Sequence, residues 1–276
     1  MVGVLLIWLG TFFEEISAVA GKKNLLEKKE DIYVFGFLQV LAVLAAFLLM
    51  LALMPGALVF SWASLPTLSV RIFFEILQCY FAIMALQLAD RSTMGILRSG
   101  TIPLLLVVDI MMGYSISSLQ LTVILALFVL IVLAVKEKAV GGQGLKYVVL
   151  ATVLPVITAT LYKYNIEHYN SVAVEGTIVF SALLLFWGVM NARRRNNPLR
   201  YLKNPQIVAQ SLSLAVEAVL MSIAFIYSFP SLLIAVKRAS SIFWSTLSGI
   251  YIFREERAFA KISLAGVMFL AIFILV

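Results

Sequence analysis

The chain is built from apolar runs of roughly 20 residues that follow one another with short polar breaks between them. A membrane-spanning α-helix needs about 20 mostly apolar residues, whereas the strands of an outer-membrane barrel are about half as long and alternate in polarity. The runs therefore predict helices. Ten spans are predicted, at 2–21, 32–54, 68–89, 93–112, 117–135, 145–164, 172–190, 206–227, 231–252 and 258–276.

Composition agrees with this pattern. Of the 276 residues, 63% are hydrophobic and 13% are charged, and the mean hydropathy is +1.05. Such a chain has too little polar surface to cover a water-soluble globule of its size. We therefore expect an all-α integral membrane protein whose remaining residues form short loops.

The charged and reactive residues exclude several classes of protein. The formal charge of +7 comes from lysines and arginines in the predicted loops, which is typical of membrane topology and not of nucleic-acid binding. Cys79 is the single cysteine and His168, the single histidine, falls in a predicted loop at 162–170. Neither has neighbours with metal-ligand spacing, so no metal or cofactor is expected.

The ten spans divide into two groups of five, residues 1–140 and 141–276. A shift of 140 residues aligns Arg98 with Arg238. In the first group the strongly basic loop follows the first helix, span 1. In the second group it follows the second helix, span 7. Because a five-helix unit repeated in tandem must sit in the membrane in opposite orientations, we predict one membrane domain of two inverted repeats.

Three segments of the chain form a recognisable pattern: Trp8-Leu9-Gly10-Thr11, Ile252-Phe253-Arg254-Glu255-Glu256-Arg257 and Ser263-Leu264-Ala265-Gly266-Val267. With these segments the chain resembles the drug/metabolite transporter superfamily, specifically its EamA-like ten-helix members, and the similarity extends over the full length. Glu15 and Lys23 have about the spacing of a membrane glutamate and a following lysine in the small multidrug resistance proteins, to which span 1 is also similar.

The resemblance implies a transporter of a small metabolite or amphipathic compound. We expect it in a prokaryotic inner membrane, as a monomer or homodimer. Family members are drawn with both termini inside. The loop charges of this chain predict the opposite, because the basic residues lie in the odd-numbered loops, which the positive-inside rule places in the cytoplasm. We therefore expect both termini outside.

Ionisable residues within the predicted spans are the candidates for function. Such a side chain near mid-bilayer costs at least about 2.5–3.5 kcal/mol, so those that occur usually face a cavity or a partner. The set comprises Glu14, Glu15, Glu75, Arg98, Asp109, Glu217, Lys237 and Arg238.

Glu15 shares one face of span 1 with Trp8, and we expect this face to line a substrate or proton site. Glu14 lies on a stripe with Gly10 and Gly21 that permits close helix packing, which favours a structural role for it. A structural role for Glu15 stays open as well.

Glu75 and Glu217 occupy equivalent places in spans 3 and 8. Both are expected to point inward, where each can pair with an arginine or lysine. Two interpretations stay open, an ion pair that holds helices in register and a role in transport.

Arg98 and Arg238 lie near the starts of spans 4 and 9. They either extend to the membrane interface as anchors or face a central cavity and bind a carboxylate or phosphate. Lys237 begins a serine stripe on span 9 with Trp244 beside it, which is suited to ligand binding or to helix packing.

We find no phosphate loop, dinucleotide fingerprint or nucleophile elbow, so an enzyme is not expected. The sequence predicts a secondary transporter that exports its small-molecule substrate by alternating access, with Glu15 exchanging a proton. The alternatives are a gradient-driven facilitator or uptake transporter and a non-transporting structural or assembly subunit.

Overall fold

A computed structural model describes all residues except 1, 28–30, 55, 57, 112–117, 137–143, 228–229, 257 and 276. Every regular element in the described residues is helical, which confirms the predicted all-α class. Short 3₁₀ turns occupy Trp62–Ser64 and Pro198–Lys203. The α-helices are α1 Val2–Leu26, α2 Ile32–Leu53, α3 Leu65–Leu88, α4 Arg91–Arg98, α5 Thr101–Met111, α6 Ser118–Lys136, α7 Leu145–His168, α8 Val172–Arg193, α9 Pro205–Tyr227, α10 Pro230–Tyr251 and α11 Ala258–Leu275.

Within the described residues, five helical segments are long and apolar enough to cross a membrane, judged by length and composition. They are α1, α2, α3 with its preceding 3₁₀ turn, α7 and α8. These segments indicate a membrane-embedded protein, because a water-soluble fold of this size does not need helices with such a uniformly apolar composition.

The predicted span 93–112 consists of two helices, α4 and α5, that meet at Ser99 and Gly100. A continuous helix would need an N–H at position 103 to donate to the Ser99 carbonyl, and Pro103 has none. The Ile102 N–H donates to that carbonyl instead, at 3.0 Å. The proline therefore breaks the span directly after Arg98.

Two other predicted boundaries are wrong. The predicted span 68–89 begins three residues too late, since α3 starts at Leu65, and Arg71 lies in its second turn. Pro66 fits the first turn of that helix because its missing N–H is not needed there. We also placed His168 in a loop, whereas it is the last residue of α7.

The helices pack in a small number of extensive pairs. Helix α1 lies against α9 and α10, and α3 lies against α7. Helix α2 contacts both α8 and α9, α4 crosses α10, and α6 lies beside α11. Helices from the two halves of the chain thus form most of the interior together.

Glycines permit close contacts between helices at several of these pairs, for example at Gly36 and Gly95. Gly36 of α2 lies against the fully buried ring of Trp187 on α8, and a Cβ at Gly36 would come within 2.7 Å of that ring. A Cβ at Gly95 of α4 would stand 1.8 Å from the hydroxyl oxygen of Ser245 on α10. The absence of side chains at these positions lets the paired helices approach each other closely.

Candidate functional site

Glu15 lies in the interior, where only 8% of its surface is exposed. Arg91, the first residue of α4, donates two hydrogen bonds to its carboxylate, from Nε to Oε1 at 3.1 Å and from Nη2 to Oε2 at 2.5 Å. The hydroxyl of Ser248 on α10 donates to Oε1 at 2.5 Å. Because each partner comes from a different helix, the Glu15 carboxylate joins α1 to α4 and α10.

This carboxylate forms part of the wall of a cavity of about 740 Å³ between α1, α9 and α10. Ser248 and Trp244 line the same cavity from α10. The cavity wall is mixed: Glu15 and Ser248 lie among apolar and aromatic residues, and further polar side chains come from α1, the residues after it and α9. Its other lining residues are Phe12, Ile16, Val19, Ala20, Lys23, Asn24, Glu27, Gln206, Ala209, Leu247, Tyr251 and Ile252.

Trp8 was expected to line the site with Glu15, but it is not among the residues that line this cavity. Its ring contacts the ring of Trp244, with centroids 5.3 Å apart, and the ring of Phe243, with centroids 5.5 Å apart. The ring of Phe12 also contacts the ring of Trp244, with centroids 5.0 Å apart. This aromatic group fixes the position of the Trp244 ring at the cavity wall.

Five charged side chains form a second group, which we call the central charge cluster: Glu14, Arg98, Glu217, Lys237 and Arg238. The Lys237 ammonium lies 2.6 Å from Glu217 Oε1 and 3.4 Å from Glu14 Oε2. Arg98 Nη1 lies 3.3 Å from Glu14 Oε1. The cluster brings together residues of α1, α4, α9 and α10.

Glu75 lies apart from both groups, on α3. It accepts a hydrogen bond from Gln78 at 3.2 Å, and Gln78 in turn accepts one from Thr158 of α7 at 2.7 Å. These bonds link α3 to α7. The side chain of Asp109 lies outside the described part of the structure.

Several buried charged residues were not recognised from the sequence. Arg91 lies between the predicted spans 68–89 and 93–112, where a loop was expected. No local sequence pattern distinguishes an arginine in a loop from one that forms an ion pair inside the bundle. Glu175 and Lys261 carried a usable signal, since each is an ionisable residue inside a predicted apolar span.

Lys261 belongs to an ion network at the end of the bundle where α3 stops and α4 begins. Its ammonium lies 3.0 Å from both Asp90 and Glu255. The Glu255 carboxylate also accepts bonds from the Arg91 and Ser92 backbone N–H groups, at 2.5 and 3.3 Å. It therefore satisfies the N-terminus of α4.

A second network lies at the opposite end of α3. The fully buried Glu175 carboxylate accepts a hydrogen bond from Arg71 Nη1 at 2.6 Å. Asn165 and Asn170 donate to it from the end of α7 and the following loop, at 2.8 and 2.6 Å. The two networks therefore link residues near each end of α3 to the neighbouring helices.

No group of three or more histidine, cysteine, aspartate or glutamate side chains is placed to hold a metal ion in the described part of the chain. Chemically, the site offers a buried carboxylate held by a guanidinium beside a cavity. Protonating that carboxylate would remove the charge that binds Arg91.

Comparison with known proteins does not assign the chain to a family. No protein-family model matches the chain, and no curated protein matches it.

Proposed function

We propose that the chain is a secondary transporter that moves a small metabolite or amphipathic compound across the membrane by alternating access. The observation that carries this proposal is the Glu15–Arg91 ion pair at the wall of an open volume of about 740 Å³ in a membrane-embedded helical bundle. Buried ionisable groups within membrane helices are costly, and they mark pathways for ions and substrates.

The proposed architecture is ten spans arranged as two inverted five-helix repeats. The helix pairing supports it, because exchanging the two halves of the chain converts the α1–α9 contact into the α7–α3 contact. The same exchange leaves the α2–α8, α4–α10 and α6–α11 pairs unchanged, if α4 and α5 together count as the fourth span. An internal two-fold relation of this kind allows one fold to open to either side of a membrane.

The proposed coupling step is protonation of Glu15. A neutral carboxyl group no longer attracts the Arg91 guanidinium, so the contact of α1 with α4 weakens. Release of the proton restores the ion pair. The cavity beside Glu15 is bordered by α1 and α10, so the same change alters a wall of the cavity.

The aromatic wall supports a substrate with an apolar part. Trp244 and Phe12 line the cavity with aromatic rings, while polar groups come from Glu15 and Ser248 and from Lys23, Asn24, Glu27 and Gln206. An amphipathic compound matches this division. The outward direction of transport rests on the resemblance to EamA-like exporters.

The test begins with a thermal-shift screen of the purified protein against amino acids, nucleosides, polyamines and cationic drugs at two pH values. Compounds that stabilise the protein are then followed as radiolabelled flux into proteoliposomes, with and without an imposed pH gradient. We expect flux to respond to the gradient and Glu15→Gln to lose that response. Asp31→Asn, which changes a partly exposed carboxylate elsewhere, serves as the control.

Flux that ignores the pH gradient while Glu15→Gln still impairs binding would identify a facilitator, in which Glu15 only holds substrate. Glu15→Gln with undiminished, gradient-dependent flux would remove Glu15 from coupling. Absence of flux for every stabilising compound would contradict transport itself and favour a structural subunit.

A further inference from the structure

The central charge cluster contains one more positive than negative side chain. Arg98, Lys237 and Arg238 are cationic, and its two carboxylates are Glu14 and Glu217. Lys237 pairs with both carboxylates and Arg98 pairs with Glu14. Once these pairs have formed, the positive charge that remains is that of Arg238.

Arg238 is buried, with 7% of its surface exposed. It forms no hydrogen bond or ion pair with any residue that the structure describes, and its Nε is buried without a partner. The Nε of Arg98 also lacks a partner. A guanidinium carries five N–H donors and no acceptor, so an unpartnered one in the interior is strongly unfavourable unless something else satisfies it.

Extension to the membrane interface does not supply that partner. Arg238 is the ninth residue of α10, which places it about 12 Å along the helix from Pro230 at 1.5 Å per residue. It is directed to the interior, where Arg98 and Glu14 lie within electrostatic range of it. The anchor interpretation of Arg238 therefore does not fit its position.

The second candidate for attracting a charged ligand, Glu15, is already neutralised by Arg91. The two buried groups thus leave an uncompensated cation and no uncompensated carboxylate. Arg98 adjoins the break between α4 and α5, and interrupted helices of this kind border the substrate sites of many transporters.

From this arrangement we propose that Arg238 binds an oxyanion, a carboxylate or a phosphate, carried by the transported compound. The planar guanidinium matches both groups through two parallel hydrogen bonds. The unpartnered Nε of Arg98 offers a further donor close by. This inference rests on the proposed transport function, and it narrows the substrate to an anionic amphipathic compound.

The experiment uses four probes that share one ring and differ in charge: benzoate, phenyl phosphate, benzamide and benzylammonium. Thermal melting of the full chain is measured in detergent without phosphate or phospholipid, over a range of probe concentrations. We expect benzoate or phenyl phosphate to raise the melting temperature, whereas benzamide and benzylammonium leave it unchanged. A parallel series with lysophosphatidate distinguishes a lipid headgroup from a soluble phosphate as the source of the oxyanion.

Three variants test the assignment. Arg238→Gln is expected to weaken anion binding by about tenfold or more, since a charge-assisted hydrogen bond is lost. Arg194→Gln changes an exposed arginine and should bind like the parent. Glu14→Gln should bind the anion more tightly, because it removes a competing negative charge from the cluster.

Glu14→Gln keeps the proposal testable if Arg238→Gln does not fold, because a purely structural cluster gives no gain in affinity. An anion response that is undiminished in Arg238→Gln overturns the inference. So does a preference for benzylammonium, or a melting temperature that no anion changes. Anion binding without flux would contradict transport alone, whereas flux of a neutral or cationic compound without anion binding would contradict only this inference.

Discussion

Arg91 and Glu15 form a two-point ion pair inside the helical bundle, with Nε 3.1 Å from Oε1 and Nη2 2.5 Å from Oε2. The two residues lie 76 positions apart in the sequence. The pair fixes α4 against α1 beside the cavity, and its geometry leaves neither charge uncompensated.

Loss of one partner of this pair should destabilise the protein more than loss of both. Arg91→Met leaves a buried carboxylate without its cation, which costs about 3–5 kcal/mol. Combining it with Glu15→Gln removes the stranded charge, so the double variant should recover much of that loss. Thermal denaturation in detergent measures all variants, and a double variant less stable than Arg91→Met would refute this account.

Gly95 is expected to tolerate no side chain. In Gly95→Ala the new Cβ collides with the Ser245 hydroxyl and approaches the Ser241 carbonyl oxygen to 3.2 Å. Helix α4 must therefore move away from α10, which is expected to lower the stability of the protein by about 1–3 kcal/mol. Ser245→Gly introduced together with it should restore part of the stability. Gly266→Ala is the matched control, since nothing lies within 4 Å of its added Cβ. Equal melting temperatures for the two alanine variants would contradict the prediction.

The Glu175 ion pair is expected to matter far more than an exposed one. Glu175→Leu leaves Arg71 and two asparagine amides without their acceptor in a fully buried site. The expected loss of stability is about 3–5 kcal/mol. Asp31→Asn disrupts the exposed ion pair with Arg194, and the expected loss of stability is at most about 1 kcal/mol. The yield of monodisperse protein and its melting temperature compare the two. Similar losses would show that burial of the pair has little influence.

Loop charge predicts which end of the bundle faces the cytoplasm. In a variant lacking Cys79, a cysteine at position 197, after α8, should react with an impermeant thiol reagent only in permeabilised cells. A cysteine at position 63, before α3, should react in intact cells. Both positions are exposed, and they lie beyond opposite ends of α8. The reverse labelling pattern would favour the family orientation, with both termini inside.

Much of the candidate site was accessible from the sequence, because ionisable residues inside apolar runs stand out. Glu14, Glu217 and Lys237 were identified in this way, and the structure brings them into one cluster. Arg91 was not identified, since it follows an aspartate in a polar break between two spans. Burial of such a residue depends on which helices cover the break, and no local pattern contains that information.

The sequence by itself determined the helical, membrane-embedded class, because hydropathy over about 20 residues is a local property of the chain. It did not determine the break in the fourth span, since 93–112 was predicted as one helix although it contains Pro103. Only the tertiary structure decided which charges pair. Glu15 is bound by Arg91 and Ser248, and Arg238 is left without a described partner, because partner choice follows from how distant helices pack against one another.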